Sequence, residues 1–304
     1  MDDESGATSI SRRRLLKQAL FGLTGLALID ALVLEPEALE FVEIEIPVPR
    51  LDPVFDGYRI AHLSDIHFLR GVTPDFLSRA IDMANAFRPD LFVFTGDFCD
   101  HRATSKVPSL RGLFDRCLAR DGIFGVLGNH DHWLDAQGVR RELDRNTPVR
   151  IIENESVLIE RASGAICLAG IGDLWEGPMD PQRAFWGRDP AIPRIMLEHN
   201  PDFAEEMHAN HPGDWCDLQL SGHTHGGQVK IPFGPAPSVP SRYGQKFRCG
   251  LVRGKSHWVY VNRGLTSLNR PRFLCRPEVT GIILRPTAPE SGTTKAAASQ
   301  SSVP

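Results

Sequence analysis

The stretch YRIAHLSDIH, residues 58–67, combines the two patterns on which the fold depends. It begins as a short, mostly apolar run of strand length and ends in the polar sequence Asp65-Ile66-His67. Four later runs of strand length end in the same manner, in residues that carry a carboxylate, an amide or an imidazole. These residues are Asp97 after 91–95, Asn129 and His130 after 122–127, His199 after 194–197, and His223 and His225 after 217–221.

The remaining pattern is that of an α/β protein. Further short apolar runs predict strands at residues 165–171, 257–261 and 280–284. Helices are predicted between the early strands, at residues 74–87, 108–120 and 135–145. Strands that alternate with helices indicate a sheet covered by helices. Because the second half has more strands and fewer helices, we expect the sheet to be mixed.

The polar residues after these strands predict a metal site. In open α/β sheets, ligands bind at the carboxyl ends of the strands, so we expect the five clusters to converge. Imidazole, carboxylate and amide donors together favour Mn, Fe, Zn or Ni ions over Ca or Mg. One carboxylate, Asp97, can bridge two ions about 3.5–4 Å apart, the separation used for displacement at phosphorus. The alternative is five ordinary strand-to-loop transitions that occur in order by coincidence.

The ordered set D-x-H, G-D, G-N-H-D, H and G-H-x-H resembles the calcineurin-like metallophosphoesterases over residues 57–285. The resemblance implies two mixed β-sheets packed face to face and flanked by helices. It also implies two divalent metal ions and a phosphate-ester substrate. His130 would protonate the leaving group, steadied by a nearby carboxylate, either one in the neighbourhood of Asp97 or Asp131. One metal would be held by Asp65, His67, Asp97 and His225, and the other by Asp97, Asn129, His199 and His223.

A narrower resemblance rests on SGHTHGGQ at residues 221–228, on Pro232 and Gly234-Pro235, and on NRGL at residues 262–265. These stretches are similar to a bacterial branch of exported or membrane-associated phosphoesterases. Some members cleave the pyrophosphate of UDP-2,3-diacylglucosamine in lipid A biosynthesis. The resemblance implies hydrolysis of a phosphodiester or pyrophosphate bond in a membrane-borne substrate. The alternatives are a phosphatase of soluble phosphomonoesters, nucleotides or phosphoproteins, and a metal-free scaffold, which the complete ligand set disfavours.

One departure from the family pattern is Glu198, which directly precedes His199 where small residues are more usual. Strand alternation predicts that its side chain faces away from the metals. Six cysteines without a C-x-x-C pair predict unpaired thiols, and neither a zinc knuckle nor a disulfide framework.

Three regions are predicted along the chain. Residues 1–40 begin with SRRRLLK at 11–17 and continue in an apolar run, which is similar to a twin-arginine export signal. We expect export to the periplasm or envelope through that machinery, or membrane attachment, with cleavage left open; a buried amphipathic helix is the alternative. Residues 41–285 form the catalytic domain, and the Ala/Ser/Thr-rich residues 286–304 form a disordered tail.

The net charge of −4 argues against general nucleic-acid binding. Residues 240–285 hold ten Lys and Arg residues and one acid, Glu278. This segment is either a solvated basic face or a surface that attracts phosphate groups or a membrane. Loop 232–243, with Arg242, is predicted to line the substrate groove. Aromatic residues of the irregular segment 173–193 either grip a substrate group or cover the core: Trp175, Phe185 and Trp186.

Overall fold

The computed structural model describes residues 12–102, 106–162, 164–210, 216–266 and 271–287. Five α-helices lie within these residues: α1 Arg12–Ile29, α2 Pro74–Ala86, α3 Asn129–Asn146, α4 Pro181–Ala184 and α5 Phe203–Asn210. The same residues contain twelve strands: β1 Glu40–Val48, β2 Arg59–Leu63, β3 Leu91–Thr95, β4 Ile123–Val126, β5 Arg150–Ile151, β6 Glu155–Arg161, β7 Gly164–Gly170, β8 Arg194–Leu197, β9 Leu218–Ser221, β10 Gly250–Arg253, β11 Trp258–Val261 and β12 Glu278–Pro286.

The strands form two mixed sheets of six strands each. The first sheet has the order β1-β12-β2-β3-β4-β5, in which only β12 and β2 pair antiparallel. The second has the order β10-β11-β9-β8-β7-β6, parallel from β11 to β7 and antiparallel at both edges. The predicted fold of two mixed β-sheets is therefore confirmed.

Alternation along the strands explains why the sheets pack face to face. In β3, Leu91 and Val93 enter the core between the two sheets, where they join Leu197 of β8 and Leu220 of β9. The intervening Phe92 and other residues of the opposite face pack against α2 and α3 instead. Successive side chains of a strand point to opposite faces, so a strand that is apolar throughout requires cover on both sides.

The predicted strands all occur, but one predicted helix is wrong. Residues 108–120 form a series of turns, although Leu110 and Phe114 are buried at a spacing that also suits a helix. Gly112 has a left-handed backbone (φ 80°), and the carboxylate of Glu142 accepts the Leu110 N–H at 2.8 Å. These features replace the helical hydrogen bonds. The helix predicted at 135–145 begins earlier, at Asn129, and is kinked at Asp135.

Helix α1 is longer than the apolar run suggested. It continues through a π-helical turn, Asp30–Leu34, and a 3-10 turn, Glu35–Glu37. The whole segment, 26 residues from Arg12 to Glu37, is long and apolar enough to cross a membrane and is mostly exposed. Ala31 and Glu35 near its end are buried. The tail was predicted at residues 286–304, and its part from residue 288 onwards lies outside the described residues.

Candidate active site

The structure brings all seven predicted ligands together at the carboxyl ends of strands from both sheets. Their positions follow the strand order: Asp65 and His67 after β2, Asp97 after β3, Asn129 after β4, His199 after β8, and His223 and His225 after β9. All seven residues are buried. The fold therefore joins residues 160 positions apart in the chain at one pocket.

One group of donor atoms surrounds Asp65 and His67. His225 Nε2 lies 3.5 Å from Asp65 Oδ1, and His67 Nε2 lies 3.9 Å from the same oxygen. His67 Nε2 is also 3.2 Å from Asp97 Oδ2. Three of these residues, Asp65, His67 and His225, present ligand atoms within 4.8 Å of one another. The arrangement is the first of the two groups that the family resemblance implied.

A second group surrounds His223. Its Nδ1 lies 3.0 Å from Asn129 Oδ1 and 3.2 Å from His199 Nε2. His199 Nε2 is in turn 3.3 Å from Asp97 Oδ2. The same Asp97 oxygen thus contacts one imidazole of each group, which is the position that a bridging carboxylate occupies between two ions.

The backbone at these residues is unusual. Five of the seven have a left-handed backbone, with φ between 44° and 67°: Asp65, His67, Asp97, His223 and His225. Residues other than glycine rarely adopt this region, and it is enriched at functional sites where the surrounding structure enforces it. Here the chain turns sharply after each strand, so that side chains close together in sequence face a common centre.

Two glycines allow the close approach of these chain segments. A Cβ at Gly128 would overlap the carboxylate and backbone nitrogen of Asp97. A Cβ at Gly222 would overlap Ser64 and the Asp65 carboxylate. Both positions therefore favour glycine, because at each of them a Cβ would collide with the carboxylate of a candidate ligand.

Hydrogen bonds outside the site orient the ligands. The Nδ1–H of His199 donates to the carbonyl oxygen of Thr95 at 2.6 Å, so Nε2 faces the site. Asp97 Oδ1 accepts the backbone N–H of His130 at 2.8 Å and leaves Oδ2 free to point inward. The carboxylate of Asp65 accepts the backbone N–H of His223 at 3.0 Å and so ties strand ends of the two sheets together.

The pKa values reflect this crowding of charge. Burial lowers the pKa of His67, but the neighbouring Asp97 carboxylate outweighs it and raises that pKa to about 9. Burial also acts to raise the pKa of Asp97, yet contact with His199 and His67 holds it well below its ordinary value. For His223 and His225, burial and the neighbouring imidazoles both lower the pKa, which is well below the ordinary value at each residue.

The donor set fits divalent metal ions. Because His199 Nδ1 donates to Thr95, the Nε2 of the neutral ring keeps its lone pair. That lone pair, Asn129 Oδ1 and Asp97 Oδ2 converge on one place, and such a convergence suits a cation. Within the described residues, His67 Nε2 is buried without a hydrogen-bond partner. The chemistry of the donors therefore agrees with the family's use of divalent metals.

His130 lies at the rim of this cluster rather than inside it. Its ring is 4.5 Å from that of His67 and 4.8 Å from that of Trp133, measured between centroids. Its Nδ1 lies 3.4 Å from Asp100 Oδ2. Asp131, the carboxylate named from the sequence, instead accepts the backbone N–H groups of Phe98, Cys99 and Gly128. The suggestion of Asp131 as the partner of His130 is therefore wrong.

Sequence reasoning missed Asp100. This buried carboxylate contacts His130 Nδ1, His67 Nδ1 at 3.2 Å and the Arg70 guanidinium at 2.8 Å. Burial alone would raise its pKa, but these three partners hold it far below the ordinary value. The available signal was its position in GDFCD, residues 96–100, three residues after Asp97.

An open pocket leads to the cluster. Two half-exposed tryptophans line it: Trp175 sits edge-on over His223 with ring centroids 4.3 Å apart, and Trp133 contacts His130. Arg102 contributes a cationic side chain to the lining, and loop 232–243 contributes Ser238 and Pro240. Other residues named from the sequence lie elsewhere: Phe185 is buried in the core, Trp186 is exposed, and Arg242 pairs with Glu206 at 2.6 Å.

Glu198 faces away from the cluster, as alternation predicted. Its side chain is fully buried, and Oε1 accepts the backbone N–H of Leu174 at 3.0 Å. Burial and the nearby Asp173 carboxylate raise its pKa well above the ordinary value. Its role is to hold the segment that carries Trp175, next to Leu174.

Five of the ten cations of segment 240–285 are buried or paired with acids, so the segment is not a uniform basic surface. Arg272 is fully buried and donates to backbone carbonyl groups. Four others form ion pairs, each with at least one acid outside the segment: Arg242 with Glu206, Lys246 with Glu205, Arg263 with Glu278 and Glu40, and Arg285 with Glu45 and Asp56. Arg270 lies outside the described residues.

The fold and the site define a phosphoesterase of the kind that uses divalent metal ions. The family model for calcineurin-like phosphoesterases matches residues 58–227, and the chain belongs to this family. The suspected resemblance is confirmed, and the chain is a phosphoric ester hydrolase.

The chain is similar to several bacterial phosphoesterases over most of its length. YkuE of Bacillus subtilis, an uncharacterized metallophosphoesterase, is 34% identical over 91% of this chain and 99% of its own length. The UDP-2,3-diacylglucosamine pyrophosphatase LpxG of Chlamydia muridarum is 29% identical over 81% of this chain and 89% of its own. Phosphodiesterase YaeI of Escherichia coli is 31% identical over 75% of this chain and 82% of its own.

Proposed function

We propose that the chain hydrolyses a phosphodiester or pyrophosphate bond in a membrane-borne substrate with the help of two divalent metal ions. The observation that carries the two-metal proposal is the position of Asp97 Oδ2, 3.2 Å from His67 Nε2 and 3.3 Å from His199 Nε2. A carboxylate oxygen between two imidazoles of separate donor groups suits a bridge between two cations.

The two groups divide the ligands. Asp65, His67, Asp97 and His225 would hold one ion; the other would be held by Asp97, Asn129, His199 and His223. Mn, Fe, Zn or Ni ions suit this mixture of imidazole, carboxylate and amide donors. When bound, such ions supply an activated water nucleophile and neutralise charge on the phosphoryl oxygens.

His130 is proposed as the general acid. It lies at the rim of the pocket, and its backbone N–H is held by Asp97. Asp100 faces its Nδ1 and so directs Nε2 toward the pocket, where a leaving-group oxygen would take the proton. Asp100 acts through His130 and is a positioning residue.

The substrate class rests on three observations. The relatives LpxG and YaeI are named as a pyrophosphatase and a phosphodiesterase. Trp175 and Trp133 give the pocket aromatic walls that suit a substrate with an apolar or flat group beside its phosphate. The helical segment Arg12–Glu37 would place the enzyme at a membrane. The UDP-linked diacyl sugar of lipid A biosynthesis is one substrate of this description.

The proposed organisation follows the same reasoning. Residues 1–40 would serve as a twin-arginine signal or membrane anchor, residues 41–285 as the catalytic domain, and residues 286–304 as a disordered tail. The domain would lie on the exported side, in the envelope. The arginines Arg12, Arg13 and Arg14 begin helix α1 ahead of its apolar residues, the arrangement of an export signal.

The proposal is tested by metal analysis and a substrate panel. We expect about two metal ions per wild-type chain, and a loss of both bound metal and turnover in Asp97→Asn, because the shared charge is gone. The panel compares a lipid-linked pyrophosphate, a soluble diester and a phosphomonoester. Two metals and full activity in Asp97→Asn would exclude the bridging role. A preference for soluble monoesters would exclude the membrane-borne substrate but not the two-metal site.

A further inference from the structure

An exposed apolar turn projects from the chain just after the last metal ligands. It comprises residues 231–235, closed by hydrogen bonds between Ile231 and Gly234 at 2.8 Å and between Ile231 and Pro235 at 3.1 Å. Phe233 at its tip is fully exposed and has a left-handed backbone (φ 59°). An exposed aromatic side chain in this strained conformation gains nothing from the fold itself, so it points to a partner.

A second exposed apolar residue, Leu274, belongs to the neighbouring segment. The backbone of Phe273 bonds to both Gln228 and Lys230, each at 2.9 Å, so residues 273–274 run beside the start of the turn. Leu274 is half-exposed and also has a left-handed backbone (φ 54°). Ile231, Phe233 and Leu274 are called the tip patch below.

The tip patch is fixed to the end of the apolar helix. The backbone N–H of Arg272 donates to the carbonyl of Ala31 at 2.9 Å. The buried carboxylate of Glu35 accepts the backbone N–H groups of Leu274 and Cys275. Ala31 is hydrogen-bonded to Arg272, and the next residue, Phe273, is hydrogen-bonded to Lys230. Two such steps between neighbouring extended segments span a distance on the order of 10 Å.

This attachment sets the height of the patch relative to a membrane. The basic residues lie at the start of the helix, and basic residues mark the cytoplasmic end of a spanning helix. The catalytic body therefore lies beyond its other end, where Leu32, Val33 and Leu34 are exposed. A patch held beside those residues would lie at the level of the lipid headgroups and upper acyl chains.

The charges around the patch suit an anionic lipid surface. Lys230 precedes Ile231, and the exposed Arg276 lies two residues after Leu274. Neither side chain forms an ion pair with any residue that the structure describes. This contrasts with Arg242, Lys246 and Arg285, which are paired. Apolar side chains flanked by free cations are typical of surfaces that enter a membrane interface.

We propose that the tip patch docks into the lipid bilayer beside the end of helix α1 and so holds the pocket entrance against the membrane. Gln228, which lines the pocket, bonds through its backbone to Phe273, so the patch and the pocket wall form one connected unit. A phosphate ester at the bilayer surface would then reach the site without leaving the membrane. The docking is independent of catalysis, whereas the delivery of substrate rests on the proposed function.

The contact is tested by photo-crosslinking of the full-length chain in vesicles of phosphatidylcholine and phosphatidylglycerol. Benzoylphenylalanine replaces Phe233 in one sample and Trp186, a similarly exposed aromatic residue between β7 and β8, in the control. We expect lipid adducts at position 233 and none at 186. The absence of lipid adducts at 233, equal adducts at both positions, or crosslinks to a second copy of the chain would overturn the proposal.

A kinetic comparison tests the delivery of substrate. Phe233→Asn keeps a residue that tolerates the left-handed backbone, so the fold is preserved. We expect an increase in KM of about tenfold for a nitrophenyl phosphodiester of diacylglycerol in vesicles, with kcat unchanged. The soluble diester bis(4-nitrophenyl) phosphate and the Trp186→Asn control should show no change.

The two proposals fail in different ways. An unchanged KM for the vesicle-borne ester in Phe233→Asn would overturn the delivery of substrate by the patch. Lipid adducts at position 233 of the benzoylphenylalanine variant, together with wild-type enzyme that hydrolyses neither diester, would refute the proposed function and leave the membrane contact in place.

Discussion

Asp100 provides the sharpest test of how the site protonates a leaving group. Its Oδ2 faces His130 Nδ1 at 3.4 Å, while its Oδ1 accepts the backbone N–H of Arg102 at 2.7 Å. Asp100→Asn preserves the shape and one acceptor oxygen but removes the negative charge. His130 would then lose the anion that orients its ring, while the ligand set itself is unchanged.

The size of the effect follows from the geometry. A hydrogen bond to a charged group contributes about 1.5–3 kcal/mol. The 3.4 Å contact is long, and His130 Nδ1 has no hydrogen bond within the described residues, so the contribution of this contact lies at the lower end of that range. A loss of about 1.5–2 kcal/mol in the transition state corresponds to a fall of about 10- to 30-fold in kcat/KM. The fall should appear with a poor leaving group such as an alkoxide. Nitrophenolate needs little protonation, so its esters should lose less than about threefold.

The assay compares a methyl and a nitrophenyl phosphodiester at saturating metal, since Asp100 also contacts His67 at 3.2 Å and its loss weakens metal binding. Asp115→Asn, which removes an exposed carboxylate, serves as the charge control. His130→Ala should show the same dependence on leaving group with a larger loss, about 10²–10⁴-fold for the methyl ester. Equal losses on both esters in Asp100→Asn would refute the reasoning and assign Asp100 to the metal site alone.

Three further predictions follow from the structure. Gly128→Ala should lose bound metal and activity, because its Cβ would overlap Asp97, whereas Gly25→Ala on the open surface of α1 should not; metal analysis distinguishes the two. Trp175→Ala should raise KM about fivefold for a substrate with an apolar group and leave kcat nearly unchanged, as measured by steady-state kinetics. Replacing Arg12 and Arg13 by Lys should block export without unfolding the catalytic domain, and unchanged envelope localisation on fractionation would contradict a receptor-read signal.

The positions of the ligands could be predicted from sequence because each one follows a strand. Buried parallel strands such as β3 are apolar throughout, so their ends stand out as abrupt changes to polar residues. The order of the motifs then indicated Asp97 as the residue shared by the two donor groups before any distance was known. The strand β1 was missed, although Glu43 and Glu45 alternate with Ile44 and Ile46, because the segment lies before the first motif.

What sequence could not provide was the direction of side chains beyond the ligands. Asp100 and Asp131 are both acids near a motif, and local pattern favoured Asp131 because it directly follows His130. On α3, however, Asp131 is the N3 residue, and its carboxylate accepts backbone N–H groups at the helix start. Asp100 reaches His130 across a loop, and only the three-dimensional structure reveals such a contact. Similarly, the spacing of Leu110 and Phe114 could not distinguish a helix from anchored turns.

The paired charges of residues 240–285 change how attraction of the substrate is understood. Composition suggested a basic surface, but Glu205, Glu206, Glu40 and Glu45 pair with four of its ten cations and reduce their long-range field. Exposed charges are in any case screened over about 8 Å at physiological salt. We therefore expect the electrostatic attraction of the phosphate group to act mainly at short range, inside the pocket. Arg102 contributes a cationic side chain to the pocket lining, so under the functions proposed above capture of the substrate would depend on the metals, Arg102 and contact with the membrane.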